Sequence, residues 1–128
     1  MIAATCLAFV IYFEARNQPE PAQFAVAEVT IQRVKDDRWP NTICGVVFQP
    51  NQYKWAKKKP PIRDIKAWRK SQRIANIVLN NHIGAAISCS DHFHDDSETP
   101  AWTRRMKHEL TVGRMLFYCS NPDDWRRP

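Results

Sequence analysis

The sequence predicts an α+β domain, mainly helical, with a small antiparallel sheet towards the C-terminal end. Three observations carry that prediction. Apolar residues recur at helical spacing over residues 3–16, 22–37 and 64–80. From residue 87 to 93 the period switches towards two, and 107–112 with 114–118 read as a hairpin turning near Gly113. Helices in one run and strands in another make a segregated architecture, not an alternating one.

The first helix sets Leu7, Val10, Ile11 and Glu14 at i, i+3, i+4 and i+7, which is one face. Glu14 therefore stands where a hydrocarbon is expected. It also falls in the last turn, because Asn17-Gln18-Pro19-Glu20-Pro21 breaks the helix, and a helix C-terminus disfavours an anion. Both placements push a carboxyl pKa upward, as a general acid near neutral pH requires. The plainer reading is a Glu that reaches solvent or pairs with Arg16 or Arg33.

Pro21 suits a first helical position, and the second helix buries Ala27, Ile31 and Val34, with Val26 and Val29 widening the stripe. Asn41 is the expected cap of a short helix over 42–48, in which Gly45 allows close packing. Lys57-Lys58-Lys59-Pro60-Pro61 reads as a basic extended loop. The third long helix turns Ile65, Trp68, Ala75, Val78 and Leu79 inward, and Asn80 to Gly84 ends it. Residues 122–128 read as a frayed tail.

At 128 residues the chain is expected to form one domain spanning 1–128, large enough to bury a core without staples. Net charge is +6, from 19 Lys and Arg against 13 acids, which suits a polyanionic partner. No helix-turn-helix, zinc-finger or RNP signature supports a nucleic acid in that role. Cys6, Cys44, Cys89 and Cys119 are too far apart for CxxC metal pairs. Two disulfides have three connectivities, and free thiols are the expectation. Residues 2–13 are apolar but lack a basic leader and a cleavage site, and are too short to span a bilayer. They read as a core helix, so neither an export signal nor stable membrane insertion is expected.

Four blocks then fall in a recognisable order: residues 11–34 (IYFEARNQPEPAQFAVAEVTIQRV), 39–55 (WPNTICGVVFQPNQYKW), 92–102 (HFHDDSETPAW) and 111–118 (TVGRMLFY). Together they resemble the SleB/CwlJ-type cell-wall hydrolases, which cleave peptidoglycan glycan strands in spore cortex and in phage or bacterial walls. The resemblance runs from about residue 7 to 119. It implies a lysozyme-like catalytic domain with Glu14 at the position of the catalytic acid. It also implies a substrate of alternating N-acetylglucosamine and N-acetylmuramic acid, for which Gln23, Tyr53, Trp55, His92, His94, Trp102 and Tyr118 are the candidate binding residues. Aromatic faces suit sugar C–H surfaces, and polar groups suit their rims. For Trp102 and Tyr118 a core role is the alternative.

Arg33 has two readings, orienting Glu14 or satisfying a buried helix end. The usual EARGEP pattern reads Glu14-Ala15-Arg16-Asn17-Gln18-Pro19 here, so Gln18 replaces a Glu that was a second acid or a loop tie. Among the remaining acids, Glu28, Asp91 and Asp95 included, none matches a second catalytic position. A lytic transglycosylase needs only one acid/base, which favours that reaction over hydrolysis with a second carboxylate. His92 and His94 on one strand face, with Cys89 or His82 as a third ligand, invite a zinc reading. No HExxH pattern accompanies them, and neither a metal nor a cofactor is expected. The expectation is a monomeric wall-acting enzyme released by a lysis system, or a domain of a longer protein. A non-catalytic wall-binding module is the rival.

Overall fold

A computed structural model describes residues 1–81 and 86–125. The elements are α1 (Ala3–Ala15), α2 (Glu20–Val34), α3 (Ile43–Val47), α4 (Lys54–Lys58), α5 (Ile65–Asn81), β1 (His92–Asp95), a 3₁₀ helix (Ala101–Arg105), β2 (Lys107–Val112), β3 (Met115–Cys119) and α6 (Pro122–Trp125). The strands form one antiparallel sheet in the order β1-β3-β2. The segregated α+β expectation holds.

α1 is the central element, packing against α2, α3 and α5. Its residues Leu7, Val10 and Ile11 are fully buried, along with Ala22, Ala25, Val26 and Val29 of α2 and Ile74 and Ala75 of α5. Burying each of the larger side chains contributes about 1.5–3 kcal/mol. The sheet joins this core through Met115 and Phe117 of β3, so one apolar cluster spans both halves.

Several local expectations shift. Thr42, not Asn41, caps α3, its hydroxyl accepting from the Gly45 N–H at 3.0 Å. A Cβ on Gly45 would lie 2.7 Å from that hydroxyl, so the close approach foreseen there excludes a side chain. Residues 54–58 are helical, Lys59 caps that helix in left-handed backbone at φ 51°, and only residues 60–64 are loop. β1 begins at His92, later than the period-two pattern suggests. Residues 122–125 are helical where a tail was expected, and the helix-ending segment around Gly84 lies outside the described residues.

The cysteines correct the free-thiol expectation: Cys6 bonds Cys44, and Cys89 bonds Cys119. Packing of α1 on α3 brings the first pair to a Cα separation of 5.3 Å, and the sheet brings the second pair to the same distance. Both Cα separations lie within the span of a disulfide.

Candidate active site

Glu14 closes the floor of a cavity of about 430 Å³. The cavity runs along β1, an edge strand of the sheet, and is walled by α4 and the residues before it. Gln52, Tyr53, Lys54 and Trp55 line one side, and His92 to Asp95, Glu98, Pro100 and Trp102 line the other. Arg33 and Met115 reach it from behind.

The Glu14 carboxyl is pushed up from its ordinary 4.5 to about 7. Burial is the largest cause, the charge of Asp95 adds to it, and Arg33 opposes both. The ion pairs with Arg16 or Arg33 that a structural Glu would make are not formed. Arg16 instead donates to the Tyr12 carbonyl at 3.1 Å, and Arg33 Nε donates to the Asp91 carbonyl at 2.8 Å. The carbonyl that Arg33 bonds lies just before β1 and is not a helix end, and Arg33 acts on Glu14 through its charge, without a hydrogen bond that would orient it.

The other acids divide cleanly. Glu28 is buried and accepts from the Ala86 and Ile87 backbone N–H groups. Asp91 accepts from the Ser120 N–H at 2.9 Å and from the Ser120 hydroxyl and Arg38, and it meets His92 Nδ1 at 2.9 Å. Burial pushes Asp91 up, but the bonds from His92 and Ser120 outweigh it and hold it below the usual range. These two are framework. Asp95 stays in the cavity wall, where the Ser97 hydroxyl and N–H hold its pKa down. One cavity therefore contains a carboxyl held protonated to near neutrality and a carboxylate held ionised, with Glu98 at its rim.

Of the expected binding residues, Tyr53, Trp55, His92, His94 and Trp102 line the cavity. Trp102 packs against both histidines, at centroid distances of 5.1 and 5.6 Å. Tyr118 lies behind them: its ring stacks on His94 at 5.3 Å and its hydroxyl meets His94 Nε2 at 3.1 Å. It positions His94 from the sheet. Gln23 does not reach the cavity. Its amide donates to the Gln18 carbonyl, while Gln18 Oε1 accepts from the Arg114 N–H at 3.0 Å. Gln18 is therefore a loop tie, joining the α1–α2 turn to the β2–β3 turn. Gly113 in that turn has φ +57°, and a Cβ there would strike Pro19 at 2.6 Å.

Arg33 and Asp95 are cavity residues without an assigned binding or catalytic role in the sequence reading. For Asp95, the Asp-x-Ser turn chemistry after His92-x-His94 was the available signal. Among the described residues, the one group with metal-ligand spacing is Cys89, Glu109 and Cys119, and its two sulfurs are spent in a disulfide.

An acid raised by burial in an aromatic-sided cleft, on a helical body with a three-stranded sheet, defines a lysozyme-like domain. The chain belongs to the cell wall hydrolase family, whose model matches residues 17–118. The match begins three residues after Glu14. Over 114 residues it is 41% identical to a spore cortex-lytic enzyme of Bacillus subtilis, covering 87% of this chain and 35% of that protein. A spore cortex-lytic enzyme of Oceanobacillus iheyensis is 25% identical over 114 residues, covering 87% and 39%. This chain thus spans well under half the length of these relatives. Its fold is similar to the catalytic domain of the germination-specific lytic transglycosylase SleB from Bacillus anthracis, with a TM-score of 0.73 at 21% identity, covering 91% and 93% of the two chains. The SleB catalytic domain of Bacillus cereus gives 0.72 at 20% identity, covering 91% and 88%.

Proposed function

We propose that this chain is a peptidoglycan-cleaving domain that acts on the bond between N-acetylmuramic acid and N-acetylglucosamine as a lytic transglycosylase. Glu14 is its single acid/base. The observation that carries this reading is a carboxyl raised to about 7 in a sugar-sized aromatic cleft. In the first half of the reaction Glu14 gives its proton to the glycosidic oxygen and the bond to C1 breaks. The ionised Asp95 faces the positive charge that develops on the sugar ring, and Arg33 faces the carboxylate left on Glu14. That carboxylate then takes the proton of the muramic acid 6-hydroxyl while its oxygen closes on C1. A 1,6-anhydro sugar results, no water is consumed, and Glu14 returns protonated. The relatives named as cortex-lytic and the solved SleB domain named as a lytic transglycosylase support this chemistry. In this reading the domain works on the bacterial wall as a monomer, without a cofactor, and nucleic acid is not its partner.

A second reading has an observation of its own. Asp95 is ionised in the same cavity and acts on Glu14, so it has the charge state of a base that activates water. Mass spectrometry of fragments from purified peptidoglycan in ¹⁸O water separates the two. Unlabelled 1,6-anhydro-muramic ends, lost by ~10²-fold or more in Glu14→Gln, are the expected result. Labelled reducing ends would establish hydrolysis instead, with loss of that activity in Asp95→Asn assigning Asp95 as the base. Equal release by Glu14→Gln would remove Glu14 from the chemistry.

A further inference from the structure

The cleft uses one side of α1, and the opposite side is unusual. Helical phase sets Phe9 and Phe13 across the helix from Leu7, Val10 and Ile11. The latter three are fully buried, while the two phenylalanines remain partly exposed and stand outside the core cluster. With the exposed Phe48 beside them they form an apolar patch that is partly open to solvent, a feature that marks binding surfaces.

These rings continue a row that begins in the cleft. Trp55 lines the cavity and also stacks on Phe13 at 4.9 Å. Phe13 is 6.3 Å from Phe9, which packs on Trp68 of α5 at 5.1 Å and on Phe48 at 6.4 Å. Phe48 is 39% exposed. Basic side chains border the row. Lys57 and Lys58 end α4 within a turn of Trp55, and both are exposed. On α5, Lys70 and Arg73 pair with Glu20, whereas Lys57 and Lys58 have no acidic partner among the described residues.

From this continuity we propose that the Trp55–Phe13–Phe9–Trp68 face is an accessory binding surface for the same peptide-bearing glycan strand that enters the cleft. The proposal rests on the peptidoglycan reading above and adds where the strand goes. Aromatic rings take the C–H faces of successive sugars. The flanking ammonium groups, unpaired and hydrated, suit the mobile carboxylates of stem peptides better than one fixed bidentate anion. A lipid surface would also meet aromatics and lysines, but the row is continuous with the cavity through Trp55, which favours a strand that enters it.

The test uses Glu14→Gln protein, so that strands stay intact. Affinity is measured for purified sacculi by co-sedimentation and for a short peptide-free oligosaccharide that fills only the cleft. Phe9→Gln with Phe48→Gln is expected to lose about tenfold on sacculi at every salt concentration. Lys57→Gln and Lys58→Gln together are expected to lose about tenfold at low salt, with the deficit gone at about 0.5 M. Oligosaccharide affinity stays as in the parent for both, measured at a temperature where thermal melts show each variant fully folded. Sacculi stripped of stem peptides by an amidase bind the parent as weakly as the lysine variant binds intact ones. Unchanged sacculus affinity in both variants, with the oligosaccharide still bound, overturns this inference alone. So does loss of binding only when phosphodiester-linked wall polymers are removed, or a variant deficit that appears only on anionic lipid vesicles. A parent that binds neither sacculi nor oligosaccharide overturns the peptidoglycan reading as well.

Discussion

The two halves of this domain are held together by different physics. In the helical half, α1, α2 and α5 meet through aliphatic side chains that leave almost no surface exposed. In the sheet half, much of the organisation comes from carboxylates that collect backbone N–H groups. Glu109 accepts from the N–H groups of Ser88, Cys89 and Ser90, at 2.5 to 3.1 Å, and from the Ser90 hydroxyl. A register shift between His108 and Leu110 marks Glu109 as the odd residue of β2, and such a bulge re-aims a side chain. Burial pushes Glu109 up, and these bonds outweigh it, holding its pKa below the usual range. The difference teaches why the candidate site lies between the halves: one supplies the dry environment that raises Glu14, the other the polar scaffold that fixes Asp95, His92 and His94.

The largest expected effect breaks the helical half. Leu7→Ala leaves a cavity beside α2 and α5, and chemical denaturation should show a loss of about 2–5 kcal/mol. Glu109→Ala attacks the other half by stranding three N–H donors. It should cost about 2–4 kcal/mol, and hydrogen exchange at residues 88–90 should rise well before exchange in α1 does. If both regions loosen together, the division into two halves is wrong.

A smaller effect has the opposite sign. Because the folded pKa of Glu14 lies above its ordinary 4.5, the native state binds the proton more tightly, and stability falls as pH rises from about 4.5 to 7. Glu14→Gln should therefore be more stable than the parent at pH 8, by about 1–2 kcal/mol after allowance for its partial exposure, and nearly equal to it at pH 4. Thermal melts at the two pH values check this. The smallest effect sharpens the role of Asp95. Asp95→Asn removes a charge that raises Glu14, so the alkaline limb of any pH–rate profile should move to lower pH by less than about one unit. A collapse of the rate at all pH values would instead make Asp95 a catalytic base.

The same contrast decides what was legible in the sequence. A carboxylate on an apolar helical stripe is a local signal, so Glu14 was readable, as were α1, α2 and α5 to within a turn. The block containing His92, His94 and Trp102 was readable by resemblance. The roles of Glu28 and Glu109 were not, because an acid becomes an anchor only when a distant segment folds onto it. Residues 88–90 alternate like a strand yet are tied to Glu109, which is why β1 starts late. Gln23 matched a family position but works through Gln18, which ties down the hairpin turn at Arg114, 96 residues beyond Gln18. The disulfides were open for the same reason: four cysteines pair three ways until the fold chooses.

The central claim is that burial in the helical half sets Glu14 as an acid, and its titration tests that most directly. Protein labelled with ¹³C at the glutamate side-chain carboxyl would be followed by NMR from pH 3 to 9, with Glu14→Gln assigning the signal. A midpoint near 7, moving down in Asp95→Asn, is the predicted result. A midpoint near 4.5 in the folded protein would mean that the cleft is wet and that Glu14 is an ordinary carboxylate.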